Sequence, residues 1–177
     1  MNKNVLKVIV SIIVLSLIST STFADSFRTD QGTWTLSGSL MFDPATAGGA
    51  DYYVSLALGN YIETGFMVGG LVDFNYNDFI TALTCGPICK YHFFDNEKTA
   101  VSPYVGGFLG IGYMEVYSGN TTALIAGCKL GFDLFVTENV SIDTSIGLYF
   151  ATDDIYSDKG KMTNTDVIAR IGLSLFF

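Results

Sequence analysis

Histidine, cysteine, proline and basic residues are all scarce in this 177-residue chain. It holds one histidine, three cysteines and three prolines, and nine Lys plus Arg stand against 17 Asp plus Glu. A net charge of −8 and a pI near 4.3 argue against nucleic acid as a partner, because an acidic surface repels a polyanion. Three cysteines leave at least one thiol unpaired, which excludes a disulfide framework. Beyond residue 24 no apolar run approaches the 18 residues of a membrane-spanning helix. If the chain enters a membrane, it must do so as strands closed into a barrel.

The long apolar run that is present lies at the start. "MNKNVLK" carries Lys3 and Lys7, "VIVSIIVLSLI" is apolar, and "STSTFA" places Thr22 and Ala24 at the −3 and −1 positions. This three-part pattern predicts a secretory signal peptide over residues 1–24, cleaved between Ala24 and Asp25; the run is too short to span a bilayer. No cysteine follows the cleavage point, so lipoprotein processing is not expected. Residues 25–177, 153 in all, suffice for one domain.

Glycine (19) and aromatics (14%) are abundant, and the mature chain alternates in polarity with no helical period. Eight strands are predicted, at 33–42, 52–62, 65–76, 80–93, 102–114, 121–135, 139–151 and 166–177. Each has the length that a tilted strand needs to cross a bilayer. The connections "ET", "DNEKTAVS" and "TEN" fall at one end. "DPATAGGA", "NYND", "VYSGNTT" and the longer 152–165 fall at the other. Short turns and the N-terminus belong on the periplasmic side, looser loops outside. Tyr52, Tyr61, Tyr76, Phe93, Tyr104, Tyr113, Phe135 and Tyr149 lie near strand ends, where aromatic girdles are expected.

Charge tests the register. Asp73, Lys90, Lys129, Asp133, Asp143 and Arg170 all fall on the face opposite the apolar set. Slipping the strands by one residue would turn these charges outward, at roughly 10 kcal/mol in total if that face meets lipid. The apolar faces therefore point to lipid and the charges point in. Ten glycines share the inward face, which suits the narrow interior of eight strands. Three acids and three bases make that interior neutral, and with His92 they are the expected polar network of the lumen. A gated ion path along the same groups is the sharper alternative.

"CGPICKYHFF" (85–94) groups two cysteines with His92. On a strand, Cys85 and Cys89 both point outward about 13 Å apart, beyond the roughly 7 Å a disulfide spans, unless Gly86-Pro87 forms a bulge. His92 has the opposite parity and Cys128 lies two strands away, so no metal is expected. The sulfurs read as small apolar groups facing lipid.

Three stretches carry a family resemblance: "SPYVGGFLGIGY" (102–113), "GCKLGFDLFVTENVSIDTSIGL" (127–148) and the closing "VIARIGLSLFF". With these, the mature chain resembles the small eight-stranded OmpA/OmpX-like barrels of the outer-membrane β-barrel superfamily of Gram-negative bacteria. The resemblance implies an all-β fold, an eight-stranded antiparallel up-and-down transmembrane β-barrel. It also implies that Ile171, Leu173, Leu175 and Phe177 form the signal read by the barrel-assembly machinery. No peptidoglycan-binding domain follows, so tethering is not implied. The expected function is a non-enzymatic integral outer-membrane protein serving envelope integrity or surface interaction, without cofactors. Its expected partners are outer-membrane lipid and lipopolysaccharide, and a monomer is favoured. A narrow porin-like channel for small solutes or ions is the alternative. Lipid A modification is a further one, although the His-x-Ser pattern of the deacylases is absent at His92-Phe93-Phe94. Residues 153–165 are the candidate contact surface.

Overall fold

Alternating polarity over ten or more residues gives a strand two unlike faces, and such strands bury their backbone groups by pairing side by side. Eight of them do so here: β1 (Trp34–Thr46), β2 (Gly49–Glu63), β3 (Phe66–Tyr76), β4 (Ile80–His92), β5 (Val101–Val116), β6 (Gly119–Thr137), β7 (Val140–Ala151) and β10 (Thr165–Phe176). Each pairs antiparallel with its neighbour, and β1 returns to β10 to close a barrel in the order β1-β10-β7-β6-β5-β4-β3-β2. This computed structural model describes residues 29–46, 49–76, 80–93, 100–116, 119–158 and 161–177. The signal segment with Ala24 and Asp25 lies outside them.

The eight predicted strands and the eight barrel strands correspond. Two segments read as loops are more ordered than their composition suggests. In "DPATAGGA" the β1–β2 ladder continues past Asp43–Asp51 to Thr46–Gly49. The register shifts between Asp43 and Thr46, where Pro44 lacks the N–H a regular ladder needs. Within 152–165 a short hairpin forms from β8 (Tyr156–Asp158) and β9 (Lys161–Thr163). Between the shift-free pairs Cys85–Ile111 and Ile88–Phe108 the β4–β5 register is unchanged. Gly86-Pro87 is therefore not a bulge, and Cys85, Cys89 and Cys128 are free thiols.

The termini of the barrel meet at the end with the short turns. Trp34 N–H donates to the Phe177 carbonyl at 2.7 Å and Phe177 N–H returns the bond at 2.9 Å. At the β2–β3 turn Gly65 takes φ +77°, a left-handed conformation that favours glycine. Its carbonyl accepts from His92 N–H at 2.8 Å.

The outer face is apolar. Leu40, Leu56, Val72, Leu109, Leu130, Ile146 and Ile171 are among many large apolar side chains left exposed there, Ile171 at 67%. Soluble monomers rarely leave so continuous an apolar surface uncovered. Of the eight aromatics expected in girdles, Tyr52, Tyr76, Tyr113 and Phe93 are exposed, whereas Tyr61, Tyr104, Phe135 and Tyr149 are buried in the lumen. Parity decides this: Tyr61 shares its face with Gly59, and Tyr104 with Gly106. Trp34, Tyr91, Phe132 and Phe177 complete the exposed aromatics toward the turn end.

Inside, large side chains lie across glycines. The Tyr149 ring crosses Gly127 and Gly147, where a Cβ would meet it at 2.5 and 2.6 Å. Tyr104 crosses Gly131, where the approach is 2.6 Å. Buried, mostly apolar residues lie toward both ends of the lumen. Tyr61, Phe135 and Phe176 stack at the turn end, with ring centroids 5.1 and 6.4 Å from Phe176. Met114, Ala123, Ile125 and Ile155 are buried toward the loop end. Ile155 belongs to the 152–155 segment, which thus folds into the barrel mouth.

Candidate functional site

All six strand charges and His92 face the lumen, as the alternation requires, but what they do there depends on lateral register. Asp133 of β6 stands directly opposite Asp143 of β7, an arrangement that repels unless a cation intervenes. Lys90 supplies it from β4. Its Nζ donates to Asp143 Oδ2 at 2.5 Å and lies 3.7 Å from Asp133 Oδ2. Lys90 is 5% exposed and Asp133 0%, while the Asp143 side chain keeps 14% exposure and borders the lumen cavity. Tyr104 O–H donates to the other oxygen of Asp143 at 2.8 Å, and Ser141 O–H to Asp133 Oδ1 at 2.7 Å. The Lys90 ammonium also sits 4.2 Å from the centroid of the Tyr104 ring, within cation–π range.

Below this cluster, toward the turn end, His92 is locked between two hydroxyls. Its Nε2 is 3.0 Å from Tyr61 Oη and its Nδ1 2.9 Å from Ser102 Oγ. His92 Nε2 is 3.7 Å from Asp133 Oδ2, so Ser102, His92 and Asp133 follow the order of a hydrolytic triad. The geometry does not serve that chemistry. The His–Asp separation exceeds hydrogen-bond length, and Ser102, 1% exposed, has no room for a substrate carbonyl.

Above it, Arg170 of β10 reaches past β1 to β2 and β3. Its two terminal nitrogens clasp Asp73 at 3.2 and 2.7 Å, and one also donates to Ser55 Oγ at 3.2 Å. Such a two-pronged pair fixes orientation as well as charge. Lys129 stands between Gly106 and Gly147 in its lateral row, with Nζ 5.5 Å from the Tyr104 ring centroid. The structure thus gathers Lys90, His92, Asp133 and Asp143 into one cluster and Asp73 with Arg170 into a second, with Lys129 between them. Tyr61, Ser102, Tyr104 and Ser141 were missed by the sequence reading. Their parity, shared with Lys90 and Asp133, was the available signal.

Of the four residues expected to form the assembly signal, Ile171, Leu173 and Phe177 are exposed on the outer face. Leu175 is only 6% exposed, between its cross-strand partners Leu36 and Val140. Among the described residues, no three of His, Cys, Asp and Glu converge on a metal position. The lumen keeps a cavity of about 40 Å³ bordered by Ser37, Lys90, Lys129, Asp143 and Arg170.

No protein-family model and no curated relative matches the chain. Solved structures do. The N-terminal β-barrel domain of Pseudomonas aeruginosa OprF superposes with a TM-score of 0.62 at 15% identity, over 83% of this chain and 98% of that one. Neisserial surface protein A gives 0.60 at 16% identity, over 83% and 98%. The outer membrane protein OprG of Pseudomonas aeruginosa gives 0.50 at 14% identity, over 86% and 99%. The chain has the closed, all-antiparallel eight-stranded fold of these small outer-membrane barrels.

Proposed function

We propose that the chain is an exported, integral outer-membrane β-barrel that acts without catalysis, contributing to envelope integrity or surface interaction. The observation that carries this reading is the sorting of polarity around a closed sheet. An apolar belt covers the outside, while the six charges well inside the strands face the lumen and five of them, Asp73, Lys90, Asp133, Asp143 and Arg170, form ion pairs there. In a bilayer both halves of that arrangement are favourable; in water the belt is not. The fold shared with OprF, Neisserial surface protein A and OprG supports the same location. Outer-membrane lipid and lipopolysaccharide are then the surrounding partners, and the barrel-assembly machinery reads Ile171, Leu173, Leu175 and Phe177 during insertion. The 153–165 segment with its β8–β9 hairpin remains the candidate contact surface.

The lumen contents favour a plug over a channel. The lumen cavity, near 40 Å³, has room for only a few waters, with buried, mostly apolar side chains toward both ends. In planar bilayers the purified protein should give no reproducible conductance steps; steady steps sensitive to Lys129→Gln or Arg170→Gln would replace the plug by the channel. Deleting the gene should raise sensitivity to bile salts and bulky antibiotics, reversed by the wild-type chain. Unchanged sensitivity would remove the integrity role. A changed lipid A mass profile would overturn the non-catalytic reading.

A further inference from the structure

Barrel closure is incomplete at one seam. β1 and β10 pair from Trp34–Phe177 only as far as Ser39–Gly172. Above that level β1 continues along β2 to Thr46 and β10 continues along β7 up to Thr165, with no further β1–β10 pair among the described residues. A cavity of about 450 Å³ occupies the gap. Its outer lining comes from the lipid-facing side chains Leu40, Val54, Ala169 and Ile171. Its inner lining includes Ser55 and the Asp73–Arg170 pair. The space therefore passes through the wall, from the apolar belt to a polar back wall.

Two features say what fits. In hydrocarbon, an unpaired sheet edge is tolerated only where protein or a polar filling covers it, so the occupant must carry hydrogen-bonding atoms as well as apolar ones. At the back, the Arg170 charge is already cancelled by Asp73 through two hydrogen bonds. The guanidinium's five N–H groups still exceed those bonds, so it offers donors without offering net charge. A volume near 450 Å³ falls in the range of small-molecule sites. The outward-facing Leu40, Val54, Ala169 and Ile171 in its lining set this space against the surrounding membrane.

We propose that the β1–β10 seam is a lateral binding site for a single-chain amphiphile with an uncharged polar head, such as a medium-chain alcohol, taken up from the membrane. This inference rests on the membrane reading above. The alkyl chain lies along Leu40, Val54, Ala169 and Ile171, and the head accepts hydrogen bonds from Arg170 and Ser55.

The test uses the full-length protein reconstituted in phosphatidylcholine vesicles and a decanol carrying a diazirine on its alkyl chain. After irradiation, labelled residues are mapped by mass spectrometry. The expected labels concentrate on Leu40, Ala169 and Ile171, at least tenfold over Leu109 and Ile111 on the far wall. Decanol should compete at least tenfold better than decanoate, and Asp73→Asn, which uncovers the Arg170 charge, should reverse that order. Val54→Phe/Ala169→Phe, apolar changes on the outer face, should abolish the concentrated label, whereas Leu109→Phe should leave it. Uniform labelling of the belt would overturn the site, as would equal competition by decanoate its neutral-head preference. The wild-type map decides even where a variant fails to fold. A wild-type protein that shows no heat-dependent gel shift would sink the membrane reading itself, separately from the seam.

Discussion

Lys90→Met is the substitution that most directly probes why the lumen is built as it is. Lys90 is the cation between two carboxylates that the register sets face to face, Asp133 and Asp143. Methionine keeps most of the side chain's length and bulk but leaves both acids without this cation in a largely buried site. Removing one partner of a buried pair costs about 3–5 kcal/mol, and the Asp133–Asp143 repulsion adds to this. At about 2 kcal/mol per molar urea, the unfolding midpoint should fall by about 1.5–2.5 M. The chain contains a single tryptophan, Trp34, half-exposed on the outer face at the closing seam. Its emission in lipid vesicles therefore reports folding without labelling. Adding Asp143→Asn to Lys90→Met removes the repulsion and one unpaired charge, so the double variant should be more stable than Lys90→Met alone by about 1–3 kcal/mol. A Lys90→Met protein within about 1 kcal/mol of wild type, or a double variant no better than the single, would refute the claim that Lys90 is the keystone.

Gly131→Ala should cost about 1–3 kcal/mol by overpacking, because its Cβ would lie 2.6 Å from the Tyr104 ring; the same urea titration measures it. Asp73→Asn should lower stability by about 1.5–3 kcal/mol through loss of the charged hydrogen bonds to Arg170, again read from the Trp34 transition. Cys85, Cys89 and Cys128, being free and outward, should give identical gel mobility with and without reductant. In vesicles they should resist a membrane-impermeant maleimide that labels all three after unfolding. Deleting Phe177, which exchanges two hydrogen bonds with Trp34, should reduce the amount of assembled barrel in outer-membrane fractions at least severalfold. Normal levels would count against the assembly role.

The architecture was legible because its determinants are local. A two-residue period, the placement of Asp73, Lys129 and Arg170 against Leu40, Leu130 and Ile171, and turn residues such as Gly65 fix faces and strand number without knowledge of partners. The site was legible only in part, because partners come from lateral register across strands far apart in sequence. That Asp133 meets Asp143, or that Arg170 crosses behind β1 to Asp73, follows from barrel stagger rather than from any motif. The inward aromatics show a different failure. Tyr61 and Tyr104 sit near strand ends, where a girdle is expected, yet parity outranks position and turns them into the lumen. The open β1–β10 seam had no sequence signal at all, since its two edges are the first and last strands and meet only on closure.

A membrane-fraction gel comparing unheated with boiled samples tests the central claim most directly. A closed eight-stranded barrel with a charge network locked inside should resist detergent until heated, giving a shifted band for the unheated sample in the outer-membrane fraction. A single unshifted band, recovered in the soluble fraction, would contradict the membrane barrel.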